Sequence, residues 1–363
     1  MKRKQGGGKK VLAVLGVIVL VLAVVLAVYH ETVRVLFYSV VDTPVKLDVS
    51  GDWAGGKTYR NVQYADVSET DYLNLYVPDS SEPSPLIVMI HGGGFVSNDC
   101  ESRQAQLFYQ YFRDHGYACA TVNYRLAQEA PFPAAIEDVK AAVRYLRANA
   151  DTYGYNADRI AVWGESAGGY LAVMAGVTTD EEFNSLPFIG EELRSEPVSA
   201  KVDVILDFYG ATELESTPER RAAFRALDIH VPEFGYALAN AWLTDAIKDE
   251  PESEKFENFE DFWLRKQVSQ MTKEERNVFT PAYYVARNLP GRTDLDVLIV
   301  HGDADFTVPV SQSWHLYDQL VDTIGEAHVR ALYIHNAKHA GDKIYTEENL
   351  GAVKAYLDSL AGI

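Results

Sequence analysis

A serine inside a glycine-rich turn is the residue of this chain best suited to do chemistry. Ser166 lies in the run Gly164-Glu165-Ser166-Ala167-Gly168-Gly169, which follows an apolar segment ending at Trp163. A strand that turns sharply into a helix forces its corner residue into strained backbone angles, and flanking glycines remove the Cβ atoms that would clash there. The pattern Gly-x-Ser-x-Gly therefore predicts a nucleophile elbow, with the serine hydroxyl exposed at the start of a helix.

A second glycine-rich segment offers hydrogen-bond donors for a developing oxyanion. His91-Gly92-Gly93-Gly94-Phe95 directly follows the apolar segment 86–90. Without side chains in the way, the backbone amides of such a segment can turn toward an incoming oxygen, and in acyl transfer they stabilise the tetrahedral intermediate by a few kcal/mol. Either motif alone occurs by chance, and this one could be a flexible turn. Both together favour acyl transfer.

A serine nucleophile of this kind needs a histidine base and a carboxylate that orients it, in the chain order Ser, Asp, His. Asp305 is the predicted acid because it lies in the loop after the apolar segment 295–300, and Asp303 in the same loop is its competitor. His339 is the predicted base because it lies clearly in the loop after the segment 329–334. Three other histidines lie in a helical stretch or at the ends of that last segment: His315, His328 and His335.

The segments around these residues alternate between strand and helix patterns. Runs rich in branched and apolar residues predict strands at 71–77, 86–90, 117–124, 159–163, 202–208, 295–300 and 329–334. Apolar residues at helical spacing predict a helix over 132–150, and a further helix is expected over 347–360. Strands that alternate with helices predict an α/β fold with a mostly parallel central sheet and helices on both faces.

One interval breaks this alternation. Roughly 85 residues separate the predicted strands that end near 208 and begin near 295, far more than the dozen or so that a crossover needs. Residues 211–280 mix aromatic and charged side chains in the manner of amphipathic helices rather than of a disordered loop. They predict a helical cap insertion over the active site, and a surface excursion without a role there is the alternative.

The first 45 residues form a separate region. Five Lys and Arg residues precede an uninterrupted apolar run at 11–28, and a helix of eighteen residues is about 27 Å long, close to the roughly 30 Å hydrocarbon core of a bilayer. The run predicts a single transmembrane anchor between a cytoplasmic basic tail, 1–10, and a juxtamembrane segment, 29–45. The folded domain, 46–363, would then be extracellular. Cleavage of 11–28 as a signal peptide, with secretion of the rest, is the alternative.

Charge and cysteine content exclude several classes of function. Residues 1–34 contain six of the 33 Lys and Arg and one of the 52 Asp and Glu, so the remaining chain has a formal charge of about −24. Nucleic acid and anionic lipid would repel such a surface, so no nucleic-acid partner is expected. Cys100 and Cys119 are too few for a disulfide framework and lack the spacing of a zinc site, and whether they pair is open. No metal and no cofactor are expected.

These motifs resemble those of the α/β-hydrolase superfamily, in particular carboxylesterases and lipases similar to hormone-sensitive lipase and to bacterial feruloyl and acetyl esterases. The matching segments are 91–95, 132–139, 164–169 and 302–309. The resemblance spans about residues 50–360, and it implies an α/β-hydrolase domain over 46–363. It also implies the site residues: Ser166 as nucleophile, Asp305 as orienting acid, His339 as base, and Gly93, Gly94 and Ala167 as the oxyanion hole.

Two features depart from that family pattern. The residues after His339 read Ala340-Gly341-Asp342 instead of a glycine-rich continuation, and the acidic insertion at 211–280 has no counterpart. Glu165, which is adjacent to the nucleophile, is expected to point away from it and to have a structural role.

The combined prediction is a serine hydrolase that cleaves small carboxylic esters, with short-chain acyl or carbohydrate-linked esters as expected substrates. A small-molecule ester and the membrane, through 11–28, are its expected partners, and the oligomeric state is left open. A serine peptidase similar to aminopeptidases or prolyl peptidases is one alternative, because it shares the fold and the triad. A non-catalytic surface binding module is the other, although every catalytic position is filled.

Overall fold

The architecture is that of a computed structural model, which describes residues 53–213, 241–251, 253, 256 and 259–363, together with positions 19, 34–35, 37–38, 41–42 and 44–46. The predicted basic tail and, apart from Val19, the predicted anchor at 11–28 lie outside the described residues, as do residues 214–240 of the predicted cap. Within the described part of the chain, no helix has the length and apolarity needed to cross a bilayer.

One sheet organises the described residues. Its eight strands are β1 (Gly56–Gln63), β2 (Tyr72–Pro78), β3 (Ser84–Ile90), β4 (Ala118–Val122), β5 (Tyr155–Glu165), β6 (Val204–Phe208), β7 (Asp296–Gly302) and β8 (Val329–Ile334). Their order in the sheet is β1-β2-β4-β3-β5-β6-β7-β8. β2 pairs antiparallel with both β1 and β4, and all other neighbours pair parallel. The predicted α/β class with a mostly parallel sheet is confirmed.

Burial explains which strands the sequence predicts well. β4 and β6 are buried at every residue, as expected for parallel strands that are covered on both faces. β1 was not predicted. Its sequence, GKTYRNVQ, is polar and largely exposed, because it lies at the edge of the sheet with one neighbour. Such a strand leaves no apolar pattern to read.

The described residues include the helices α1 (Arg103–Asp114), α2 (Ala134–Ala148), α3 (Ala150–Tyr153), α4 (Ala167–Val177), α5 (Phe259–Leu264), α6 (Lys273–Asn277), α7 (Pro281–Asn288), α8 (Ser311–Ile324) and α9 (Glu347–Asp358). Alternate residues of β3 enter two separate apolar clusters. One cluster contains residues of α2, α4, α7 and α8, and the other contains residues of α1 and α9. Helices therefore pack on both faces of the sheet.

Both cysteines are part of this packed interior. Cys100 and Cys119 are buried and free, so no disulfide joins them. Burial raises the pKa of Cys100 to about 12 and also raises that of Cys119, so both remain thiols at neutral pH.

The carboxyl ends of the parallel strands lie at one edge of the sheet, where ligands bind in open α/β folds. Ser166 follows β5, Asp305 follows β7 and His339 follows β8. The sheet thus brings together residues that are far apart in the sequence.

Candidate active site

The three predicted triad residues are in direct contact. His339 Nε2 lies 3.0 Å from Ser166 Oγ, and His339 Nδ1 lies 2.6 Å from Asp305 Oδ2. A base with one nitrogen on a hydroxyl and the other on a carboxylate can accept the hydroxyl proton while the carboxylate fixes its tautomer. The geometry meets the requirement for nucleophilic catalysis by serine.

Ser166 has the backbone strain expected of a nucleophile elbow. Its φ is 55° and its ψ is −117°, and its amide donates to the Phe208 carbonyl at 3.0 Å. A Cβ on Gly164 would lie 2.0 Å from the Gly168 carbonyl oxygen, and a Cβ on Gly168 would lie 2.1 Å from that of Ile90. Both positions must be glycine because backbone atoms, which cannot move aside, approach them closely. The motif therefore allows α4 to begin directly beneath the serine.

Asp305 is held as a buried anion. Its Oδ1 accepts hydrogen bonds from the backbone amides of Thr307 at 2.8 Å and Val308 at 2.9 Å, and Oδ2 faces His339. Burial raises the pKa of Asp305, but His339 and a second histidine, His301, lower it well below its usual range. Burial lowers the pKa of His339, but the negative charge of Asp305 outweighs this effect and raises the pKa above its ordinary value of 6.5.

The predicted oxyanion amides border the same cavity as Ser166 and His339. Gly93 and Gly94 have φ values of 104° and 61°, so the loop after β3 curls in the left-handed region. Ala167 is the first residue of α4, and its amide lies at the helix N-terminus, where the dipole favours negative charge. All three residues thus border the space beside Ser166 that an ester oxygen would occupy.

The oxyanion loop is supported from below by two buried polar residues. Glu165 Oε1 accepts from the Gly92 amide at 2.7 Å, and burial raises the pKa of Glu165. His91 stacks on Tyr124, whose hydroxyl donates to the His91 carbonyl at 3.0 Å, and burial lowers the pKa of His91 to about 4. The contact with Gly92 gives Glu165 a structural role, as expected. His91 stays neutral at neutral pH because its pKa is low.

A cavity of about 250 Å³ opens over Ser166. The predicted cap interval, where it is described, contributes Trp242, Leu243, Phe259 and Glu260 to its wall. Leu243 is close enough to the oxyanion loop that a Cβ on Gly94 would lie 2.3 Å from its Cδ2. Glu213, near the start of the same interval, also lines the cavity, and the remaining wall includes Phe95, Val308 and Gln312. The cavity is mostly apolar, with a few polar groups.

The competing histidines lie on other partners. His315 Nδ1 is 3.0 Å from Glu213, and His328 Nδ1 is 3.0 Å from Asp296. His335 pairs with Asp303, the competing acid, at 2.7 Å, and its side chain is 73% exposed. None of these contacts reaches Ser166.

Two residues at the site were missed by the sequence reasoning. His301 Nε2 donates to the Val308 carbonyl at 2.9 Å and lies 3.2 Å from Asp305 Oδ2. His301 therefore supports the loop after β7 that carries Asp305, which we call the acid loop. Tyr209 packs edge-on against the His339 ring, with centroids 4.9 Å apart. Both residues stand at the carboxyl ends of predicted strands, and that position was the available signal.

The BD-FAE family model matches residues 73–320, more than half of the chain. Among curated proteins, esterase LipC of Mycobacterium tuberculosis is 27% identical over 267 residues, covering 72% of this chain and 54% of LipC. Ethyl acetate hydrolase of Pseudomonas putida is 35% identical over 105 residues, covering 28% of this chain and 33% of that protein. The chain thus spans about half or less of the length of these relatives.

Solved structures share the fold. A truncated carbohydrate esterase from gut microbiota superposes with a TM-score of 0.63 at 22% identity, covering 85% of this chain and 98% of that chain. The propionate-bound esterase Est2 of Thermogutta terrifontis gives a TM-score of 0.58 at 18% identity, covering 85% and 95%. At these identities the likeness shows the fold alone.

Proposed function

Because the chain belongs to the BD-FAE family, within the α/β-hydrolase superfamily, we propose that it is a serine esterase that cleaves small carboxylic esters through an acyl-enzyme intermediate. The observation that carries the proposal is the continuous hydrogen-bonded chain from Ser166 through His339 to Asp305. Esterases among the related proteins support the reaction class.

The proposed reaction has two halves. In the first, His339 Nε2 accepts the Ser166 proton, Oγ forms a bond to the ester carbonyl carbon, and the oxyanion binds the amides of Gly93, Gly94 and Ala167. The intermediate collapses when the C–O bond to the alcohol breaks and His339 returns the proton to the leaving oxygen. In the second half, His339 accepts a proton from water as the water oxygen forms a bond to the acyl carbon. The C–Oγ bond then breaks, His339 returns the proton to Ser166, and the carboxylic acid leaves.

The cavity favours small, uncharged esters. Its volume of about 250 Å³ suits a short acyl chain, and Glu213 and Glu260 on its wall disfavour anionic groups. Related proteins named as an ethyl acetate hydrolase and as a carbohydrate esterase support short-chain acyl or carbohydrate-linked esters as the substrate class.

We also propose that residues 11–28 anchor the enzyme in the cell membrane, with the domain 46–363 outside the cell. The basic residues before the apolar run support this orientation, and secretion after cleavage of a signal peptide is the alternative. Protease added to intact cells should remove the esterase activity from an anchored enzyme. Activity that survives this treatment in the cell fraction contradicts the proposed topology.

The direct test compares p-nitrophenyl acetate, butyrate and octanoate as substrates of the full chain and of its Ser166→Ala variant. We expect acetate and butyrate to turn over faster than octanoate, because each methylene that a pocket excludes costs about 1 to 3 kcal/mol. Ser166→Ala should show no turnover above background. Preference for octanoate would refute the proposed pocket size. Hydrolysis of aminoacyl p-nitroanilides in place of the esters would instead indicate a peptidase.

A further inference from the structure

A segment far from the active site in sequence lies across both loops that carry Asp305 and His339. It consists of the described residues 34–35, 37–38, 41–42 and 44–46, which we call the N-terminal strap. The strap falls within and just after the predicted juxtamembrane segment, 29–45. Arg34, Asp42 and Val45 of the strap contact these two loops.

Arg34 joins the two catalytic loops to each other. Its Nη1 donates to Asp303 Oδ1 at 2.9 Å and to Asn336 Oδ1 at 2.7 Å, and its Nη2 donates to the Asp303 carbonyl at 3.3 Å. Asp303 is two residues before Asp305, and Asn336 is three residues before His339. One planar guanidinium therefore fixes the acid loop, which carries Asp305, relative to the base loop, which follows β8 and carries His339. The single ammonium of a lysine cannot do this with the same geometry.

The strap holds the other side of His339 as well. Asp42 Oδ2 accepts from the Asp342 amide at 3.1 Å and lies 3.6 Å from Lys338 Nζ. The Val45 amide donates to Asp342 Oδ2 at 2.8 Å, and the Val45 carbonyl accepts from Arg103 at 2.9 Å. Contacts with the strap thus flank His339 on both sides along the chain.

The base loop needs such support because of where it leaves the sheet. β8 is the edge strand in the described sheet, so the loop after it has a neighbouring strand on one side only, β7. Asn336 and Ala340 in this loop have φ values of 55° and 51°. Asparagine enters this left-handed region readily, but alanine holds it only when its surroundings impose it. Arg34 contacts Asn336 directly, and Asp42 contacts Lys338 and Asp342, which lie two residues before and two residues after Ala340.

From these contacts, we infer that the N-terminal strap is a working part of the active site and that Arg34 is a positioning residue, which keeps Asp305 and His339 aligned on Ser166. The inference rests on the proposed function for its kinetic consequence. The alternative is that the strap is an inert tether, whose removal would leave the catalytic loops unchanged.

The kinetic test compares three variants of the full chain, Arg34→Ala, Arg34→Lys and Arg60→Ala. Arg60 is the matched control because it forms a similar 2.8 Å ion pair, with Glu101, on β1. Misplacement of catalytic groups by about 1 Å can cost roughly 100-fold in rate, so kcat for p-nitrophenyl butyrate should fall about 10- to 100-fold in Arg34→Ala with KM little changed. Arg34→Lys should recover part of kcat, and Arg60→Ala should retain it.

Chemical rescue and hydrogen exchange complete the test. Ethylguanidinium at a non-denaturing concentration should restore part of kcat in Arg34→Ala and have no effect on Arg60→Ala. Amides of residues 303–308 and 336–342 should exchange faster in Arg34→Ala than in the wild type, while those of the central strands remain protected. Unchanged kcat with unchanged exchange would overturn the inference, as would an equal loss of kcat in Arg60→Ala. If the wild type lacked ester hydrolysis, the proposed function would fail, whereas the exchange comparison would still decide whether Arg34 holds the loops.

Discussion

Two histidine–aspartate pairs stand side by side at the carboxyl ends of β7 and β8. His339 and Asp305 are joined by a 2.6 Å contact, and His335 and Asp303 by a 2.7 Å contact. The two distances are almost equal, so hydrogen-bond length does not distinguish them. The Asp305 side chain is fully buried and that of His339 is 17% exposed, whereas that of His335 is 73% exposed.

The difference between the pairs lies in their burial and in what the second imidazole nitrogen contacts. In the pair of His339 and Asp305, burial strengthens the attraction between carboxylate and imidazole, and the second imidazole nitrogen, Nε2, faces Ser166 Oγ. In the pair of His335 and Asp303, water screens the interaction. Burial raises the pKa of Asp303, but hydrogen bonds from His335 and Arg34 lower the pKa overall. The Asp303 carboxylate therefore stays charged and pairs with Arg34 of the strap.

The largest expected effect separates the two histidines. His339→Ala removes the proposed base, and losses of order 10⁴- to 10⁶-fold in kcat are typical when a triad member is removed. His335→Ala removes an exposed side chain, and its kcat should stay within about twofold of the wild type. Steady-state hydrolysis of p-nitrophenyl acetate measures both. If His335→Ala were the crippling change, the base would be misassigned.

The two carboxylates provide the next comparison. Asp305→Asn keeps the shape of the side chain but loses the charge that orients and stabilises the His339 imidazolium, so kcat should fall about 10³- to 10⁴-fold. Asp303→Asn weakens the contact with Arg34 and should cost roughly tenfold or less, since the substituted group does not touch the reacting atoms. Near-equal losses in the two variants, at matched thermal stability, would argue against the assignment of Asp305.

The pH dependence provides a smaller and more specific effect. His339 must be neutral to accept the Ser166 proton, and its pKa is raised above 6.5 by Asp305. The value of kcat/KM should therefore fall as the pH drops and His339 becomes protonated, with a midpoint above pH 6.5. In Asp305→Asn the midpoint should move to lower pH, whereas in His335→Ala it should not move. If the midpoint of kcat/KM moved only in His335→Ala, the roles assigned to the two pairs would be reversed.

Much of this arrangement could be predicted from local sequence. The elbow around Ser166 and the turn after β3 are determined by glycines within a few residues, and the buried parallel strands are continuous apolar runs. The position of each strand end then places Asp305 and His339 at one edge of the sheet.

Other features depend on contacts that no local pattern records. β1 is a polar edge strand, and its pairing with β2 has no hydrophobic signature. The support of Asp305 by His301 needs the fold of the acid loop. Arg34 and Asp303 are 269 positions apart, and no sequence pattern in either segment predicts their contact. Such ion pairs form where the tertiary structure brings distant charges together, and for that reason the contacts of the strap could be found only in the structure.

The central claim is that Ser166 forms the covalent intermediate, and intact-protein mass spectrometry after treatment with a serine-reactive phosphonate tests it most directly. Phosphonylation requires an activated hydroxyl, and in the proposed mechanism His339 and the oxyanion amides provide that activation. The wild type and His335→Ala should each gain the mass of one phosphonyl group, and Ser166→Ala should gain none. Labelling of both the wild type and Ser166→Ala, or of neither, would contradict the account.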